Sequence, residues 1–192
     1  MSSPIPPIGD RFPIRYSKLW QWIGRNAMRL TGYKLVGEMP NEPKLVAVGG
    51  PHTTMWDTPM CIMTMLALGV DARIVVKQEA FSWPIFGWML RRANCIPIDR
   101  ASPRGIIEQL ASKFEEDDFI LAVAADGTRK DTGKIKSGFH RIARKANVPI
   151  VPITFDQKAK TMEIHPPFMA TEARGRELAK VKALFDEVRA RQ

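Results

Sequence analysis

Two residues in the first third of the chain offer general-base chemistry. His52 follows Gly49-Gly50-Pro51, and Asp57 stands five positions further on. A histidine held by a carboxylate has its tautomer fixed and its basicity raised, and its other ring nitrogen is left to take a proton from a hydroxyl. The spacing constrains how the two can meet. Five steps along one α-helix turn about 500°, so the side chains would not share a helical face. They meet if His52 stays in a loop and Asp57 begins the helix. Pro59 supports that boundary, since proline is tolerated in a helix only in its first turn. The result is a base and its orienter without an obvious protein nucleophile. Plainer roles exist for the same residues: Asp57 as a helix N-cap or the far half of a capping box with Thr54, and His52 as a turn residue.

The elements that must position these groups follow from the hydrophobic pattern. Apolar runs rich in β-branched residues predict strands at Lys44–Gly49, Ala72–Val76, Asn94–Ile98, Phe119–Ala124, Ile150–Phe155 and Thr161–His165. Helical periodicity predicts helices at Thr58–Leu68, Trp83–Arg92, Pro103–Glu115, Gly138–Ala146 and Gly175–Arg191. The alternation predicts a single α/β domain, a mostly parallel mixed sheet flanked by helices. In such sheets chemistry gathers beyond the carboxyl ends of the strands. Three of these ends run into GGPHTTMWDTP, IDR and DGTRK.

The 192 residues carry a net charge of +9, from 29 Lys+Arg against 20 Asp+Glu. Arg11 to Lys34 and Arg129 to Lys145 each net +6, leaving −3 for the rest. Such a balance suits an acidic partner: nucleic acid, an anionic membrane surface or a phosphorylated substrate. In the first segment Tyr16, Leu19, Trp20, Ile23, Ala27 and Leu30 recur at helical spacing, ending near Gly32. A basic amphipathic helix with Trp20 and Trp22 can lie in a membrane interface. Packing of that helix on the domain, with its charges in water, is the preferred expectation. The chain divides into an N-terminal basic amphipathic region, 1–43, and a main domain, 44–192, in one structural unit. Two cysteines, Cys61 and Cys95, are too few for a disulfide scaffold and lack zinc spacing. No signal peptide is expected among the four prolines of residues 1–13, and no transmembrane helix, so the protein is expected to be cytoplasmic, soluble or peripheral.

Four blocks in order raise the specificity of the first pair. After Gly-Gly-Pro-His52-x4-Asp57 come Lys77-Gln78-Glu79, with Pro84, Gly87 and Ile98-Asp99-Arg100. Asp126-Gly127-Thr128-Arg129 follows a strand, and Val148-Pro149-Ile150-Val151-Pro152-Ile153 follows Lys136-x-Gly138. Together, over residues 44–155, they resemble the glycerophospholipid acyltransferase family, whose best-known members act on 1-acyl-glycerol-3-phosphate. The chain departs from the family pattern at Pro51, where Asn is common, at Asp126, usually Glu, and at Asn94, where glycine is frequent.

The resemblance implies an O-acyltransferase of phospholipid biosynthesis. His52 would be the general base and Asp57 its orienter, and an acceptor hydroxyl would attack the thioester of acyl-CoA or acyl carrier protein. No metal and no cofactor beyond that co-substrate is implied. Arg129 and Arg100 would hold the acceptor phosphate, supported by Lys77 and Lys136, because a guanidinium fork matches phosphate oxygens. Gly127-Thr128 could cradle an oxygen through backbone amides, and Asp126 would position Arg129. Trp83, Phe86 and Trp88 are candidates for an acyl channel or a lipid-facing surface, and Met60, Met63 and Met65 for an adaptable acyl pocket. Lys130, Lys134, Arg141, Arg144 and Lys145 are expected to be solvated or to meet CoA phosphates or an acidic carrier. The expected partners are a lysophospholipid, the acyl donor and the anionic cytoplasmic membrane face, with no nucleic acid. The competing classes are acylation of another lysolipid or alcohol, and a non-catalytic lipid- or nucleic-acid-binding protein.

Overall fold

The apolar runs become strands of one sheet, and the periodic segments become helices on both of its faces. The structure, a computed structural model, describes residues 3–51, 57–98, 103–125 and 135–192. In chain order its elements are α1 (Lys18–Thr31), β1 (Lys34–Gly37), β2 (Leu45–Gly50), α2 (Asp57–Leu68) and β3 (Ala72–Lys77). A short 3-10 helix, Gln78–Ser82, leads to α3 (Pro84–Arg92), β4 (Ile96–Ile98), α4 (Pro103–Glu116) and β5 (Ile120–Ala124). The remainder is α5 (Gly138–Ala146), β6 (Pro149–Asp156), β7 (Thr161–Ile164), β8 (Phe168–Met169) and α6 (Arg174–Arg189).

The strand order is β1-β7-β6-β2-β5-β3-β4, with β8 also beside β6. Strands β2, β3, β4, β5 and β6 run parallel to their neighbours among themselves. Only β7 and β8 pair antiparallel to β6, so the sheet is mixed but mostly parallel, as the pattern predicts. Two edge elements escape the sequence reading. β1 is a four-residue strand paired with β7, and β8 has two residues. Residues 34–37 thus carry the N-terminal region into the main sheet.

Side-chain alternation along β2 divides the interior. Leu45 and Ala47 join the core under α1 and α2, which also holds Met28, Met60, Ile120, Val151 and Phe155. Val46 and Val48 face the other core, where Phe114, Phe119, Phe139, Ile142 and Phe185 fill the space under α4, α5 and α6. The Phe114 and Phe119 rings stack there at 4.3 Å. Asn94 takes a φ of 54° just before β4. That left-handed backbone is one that glycine and asparagine tolerate, which accounts for the substitution noted at this position.

Helix α1 packs on the domain with Lys18 and Arg29 exposed, as preferred, but by an unexpected face. It packs on α2, but through Gln21, Gly24, Arg25 and Met28, not through its apolar stripe. A Cβ at Gly24 would lie 2.4 Å from the Ala67 backbone nitrogen, so only glycine admits so close an approach. Arg25 turns inward and donates from Nε to the Ala67 carbonyl at 3.1 Å. This contact dictates the helix rotation. Leu19, Trp22, Ile23 and Leu30 are left facing outward, Trp22 at 62% and Leu30 at 89% exposure.

Candidate active site

Asp57 begins α2, as Pro59 requires, and its side chain is only 2% exposed. A carboxylate in the first turn of a helix is favoured by the unpaired amides and the dipole there. A buried carboxylate also needs donors. The Gln157 side-chain amide supplies one, donating from Nε2 to Asp57 Oδ1. The Tyr33 hydroxyl in turn donates to Gln157 Oε1. Tyr33 lies just beyond α1, and Gln157 begins the turn between β6 and β7. Burial first, and then the negative charge of Asp57, raise the Tyr33 hydroxyl above its ordinary 10.0, so it remains a donor.

Strand register brings the attachment points of the sequence blocks to one edge. Gly49 lies beside Ala124 and Gly50 beside Thr154, while Lys77 lies beside Ile98. The backbone nitrogen of Ala125 donates to the Gly49 carbonyl at 3.1 Å, and that of Lys136 to the Ala125 carbonyl at 2.9 Å. The chain therefore leaves the sheet at Pro51, Ile98 and Ala125 along one carboxyl-end edge, beside Asp57 and Lys136. Six candidates, His52, Arg100, Asp126, Gly127, Thr128 and Arg129, lie outside the described residues, as do Lys130 and Lys134. Lys77 closes β3 and Phe86 lies in α3, but their side chains are likewise outside what is described. Lys136 is exposed at this edge.

A cavity of about 160 Å³ lies between the sheet and α2. Gly49, Ala122 and Ala124 give it room on the sheet side, and Met65, Leu68 and Met162 close the far walls. Its lining is almost wholly apolar. Met60 is core and Met65 lines the cavity, whereas Trp83, 67% exposed, and Trp88 point outward and line no part of it. Cys61 also faces the cavity. Burial, with a contribution from Asp57, pushes its thiol up to about 12, so it is no thiolate nucleophile at neutral pH.

Other cations are already engaged. Arg144 pairs with Glu172, and Lys145 with Glu108 at 3.0 Å, on the outer surface of α5. His140 is buried and its Nε2 meets Glu177 at 2.6 Å, joining α5 to α6. Tyr33 and Gln157 are the site residues that sequence reasoning passes over.

The family model described as Acyltransferase matches residues 34–156. The 1-acyl-sn-glycerol-3-phosphate acyltransferase of Streptococcus pneumoniae is 29% identical over 154 residues, 77% of this chain and 55% of that protein. A chloroplastic 1-acyl-sn-glycerol-3-phosphate acyltransferase of Brassica napus is 27% identical over 151 residues, 76% of this chain and 43% of its own length. The chain thus spans about half the length of these curated relatives. The crystal structure of the 1-acyl-sn-glycerophosphate acyltransferase of Thermotoga maritima superposes with a TM-score of 0.62 at 21% identity, covering 91% of this chain and 80% of that one. That likeness establishes the shared fold.

Proposed function

The chain belongs to the acyltransferase family, and from that premise we propose that it moves a fatty acyl group from a thioester to the hydroxyl of a lysophospholipid, with 1-acyl-glycerol-3-phosphate the favoured acceptor. The observation that carries this reading is the placement of a buried carboxylate, Asp57, at the mouth of α2, above an apolar cavity and beside the edge where the sequence blocks attach. Fatty acyl chains need an apolar slot, and hydroxyl activation needs a held base. Asp57, the carboxylate that would hold that base, shares α2 with Cys61, Thr64, Met65 and Leu68 of the cavity wall.

In this mechanism Asp57 orients His52, which takes the proton from the acceptor hydroxyl. The oxygen attacks the thioester carbonyl. The tetrahedral intermediate collapses, the ester forms, and the thiol of CoA or carrier protein leaves with the proton from His52. Arg129 and Arg100 hold the acceptor phosphate with Lys77 and Lys136, Asp126 sets Arg129, and Gly127-Thr128 offers backbone amides. No metal and no further cofactor takes part. The cavity walls around Met65 and Ala122 take part of the acyl chain, and Trp83, Phe86 and Trp88 keep their place as acyl-channel or lipid-facing candidates. A space of this size accepts about a benzene-sized group, so the rest of a long chain extends beyond it.

Membrane placement belongs to the same proposal. Leu19, Trp22, Ile23 and Leu30 form an outward apolar stripe flanked by Lys18 and Arg29, and α3 adds exposed Ile85 and Trp88 above Arg91 and Arg92. This pattern suits peripheral binding to an anionic leaflet on the cytoplasmic side. Among the described residues no helix is long and apolar enough to cross a membrane.

The test incubates purified protein with acyl-CoA or acyl carrier protein thioester and a panel of lysolipids, with products read by mass spectrometry. Phosphatidic acid is the expected product. Product from a different lysolipid alone would reassign the acceptor, and no product from either donor would end the acyltransferase reading. In the same preparation, vesicles with anionic lipid should retain the protein. Replacing Trp22 and Leu30 by Ser should release it, and unchanged retention would remove α1 from the membrane role.

A further inference from the structure

We propose that Gln157 is a positioning residue for Asp57, locked into that task by Tyr33. The inference rests on the acyl-transfer reading above and deepens it. An ionised carboxylate only accepts hydrogen bonds, so the amide that meets Asp57 must present its NH2 group. That choice points Oε1 of Gln157 at Tyr33, whose hydroxyl must then donate. The direction of every bond in the row is fixed by the charge at its end. An amide flip would set Oε1 against the carboxylate and NH2 against a donor, breaking both contacts at once. Burial of Asp57 makes such a loss costly. The row therefore holds the carboxylate plane in one orientation.

The choice of partner is informative. An arginine or lysine in this place would fix Asp57 equally well, but it would also neutralise it. A carboxylate that must support a protonated histidine needs its charge kept. The Gln157 amide fixes the plane and adds no charge. Both Tyr33 and Gln157 fall just outside the residues that match the family, 34–156, so this support comes from the flanks of the matched span and not from its blocks.

The experiment measures steady-state acyl transfer and its pH profile for the whole chain and three variants, with thermal melting alongside. Gln157→Ala should lower kcat about tenfold, the scale of one lost hydrogen bond, with KM for donor and acceptor within about twofold. Tyr33→Phe should lower kcat by a smaller factor, because the amide is left but unlocked. Gln157→Glu sets a second carboxyl against Asp57. It should be active only in a window above the acid limb set by His52, where the new carboxyl is still protonated and donates, and lose activity on an alkaline limb that the parent lacks. A purely structural role would lower melting temperature and leave the profile parallel to the parent. The inference is overturned if Gln157→Ala keeps kcat within about twofold, or if Gln157→Glu shows no new limb. If the parent chain itself transfers no acyl group, the acyltransferase reading falls and this inference falls with it. An active parent with unaltered variants sinks this inference alone.

Discussion

Among the described residues, the contacts made to carboxylates differ between the two edges of the sheet. At the amino ends of the strands, Asp71 takes Arg73 at 3.0 Å and Arg15 at 3.4 Å. Asp117 takes Arg73 at 2.8 Å, and Lys44 lies 3.3 Å from Asp118. Arg73 completes this belt by lying 4.3 Å above the Phe119 ring. At the carboxyl ends, Asp57 is more deeply buried, yet it is gripped by the neutral amide of Gln157. Where charge only has to hold elements together, it is cancelled by cations. The Gln157 amide gives Asp57 a hydrogen bond and brings no charge of its own.

The contrast yields measurements of decreasing size. The largest effect belongs to the carboxyl edge. His52→Ala should cut kcat by about 10²- to 10⁴-fold, the span of general-base catalysis, with a melting temperature near that of the parent. A folded variant at full activity would leave the edge without its chemistry. Next comes the amino edge. Arg73→Met keeps the apolar stem over Phe119 but leaves Asp71 and Asp117 without their shared cation. It should cost about 1–3 kcal/mol, a fall of roughly 2–4 °C in Tm per kcal/mol for a chain this size. Turnover below the melting range should stay at the parental value, and a large fall there would erase the division between the edges.

The smallest effect is in acid. The hydrogen bond and charge of Arg73 hold the Asp117 carboxyl below its ordinary 3.8. A depressed carboxyl pKa adds stability that is present above 3.8 and is lost as pH falls through the lower folded value. Asp117→Asn should therefore melt slightly earlier than the parent at neutral pH, and the two melting curves should converge below pH 3.8. A constant gap across pH would show that the pair contributes nothing electrostatic.

What the sequence showed of this arrangement depended on how local each signal was. The start of α2 near Asp57 was legible because Pro59, tolerated only in a first turn, confines the boundary to the few residues before it. The sheet was legible because β2, β5 and β6 are buried on both faces and read as continuous apolar runs. β1 and β8 are short edge strands whose pairing comes from distant β7 and β6, so no local pattern marks them. The rotation of α1 was not legible, because periodicity locates an apolar stripe but cannot say which way it faces. That was decided by Gly24, whose missing side chain carries no hydropathy signal. Gln157 was invisible for a related reason: it meets Asp57 across 100 positions and Tyr33 across 124, and a turn glutamine has no motif around it.

That separation also sets an order of events during synthesis. Translation adds roughly 5–20 residues each second, so several seconds pass between the appearance of Asp57 and that of Gln157. Through that interval a nascent chain can form α1 and α2, whose contacts are near in sequence, but β2 still lacks β6, and β1 still lacks β7. The carboxylate waits without its amide until the hairpin arrives. A chain built this way gains this hydrogen-bonded row with its last strands, and one cut short before residue 157 leaves the ribosome with Asp57 but without the amide that meets it.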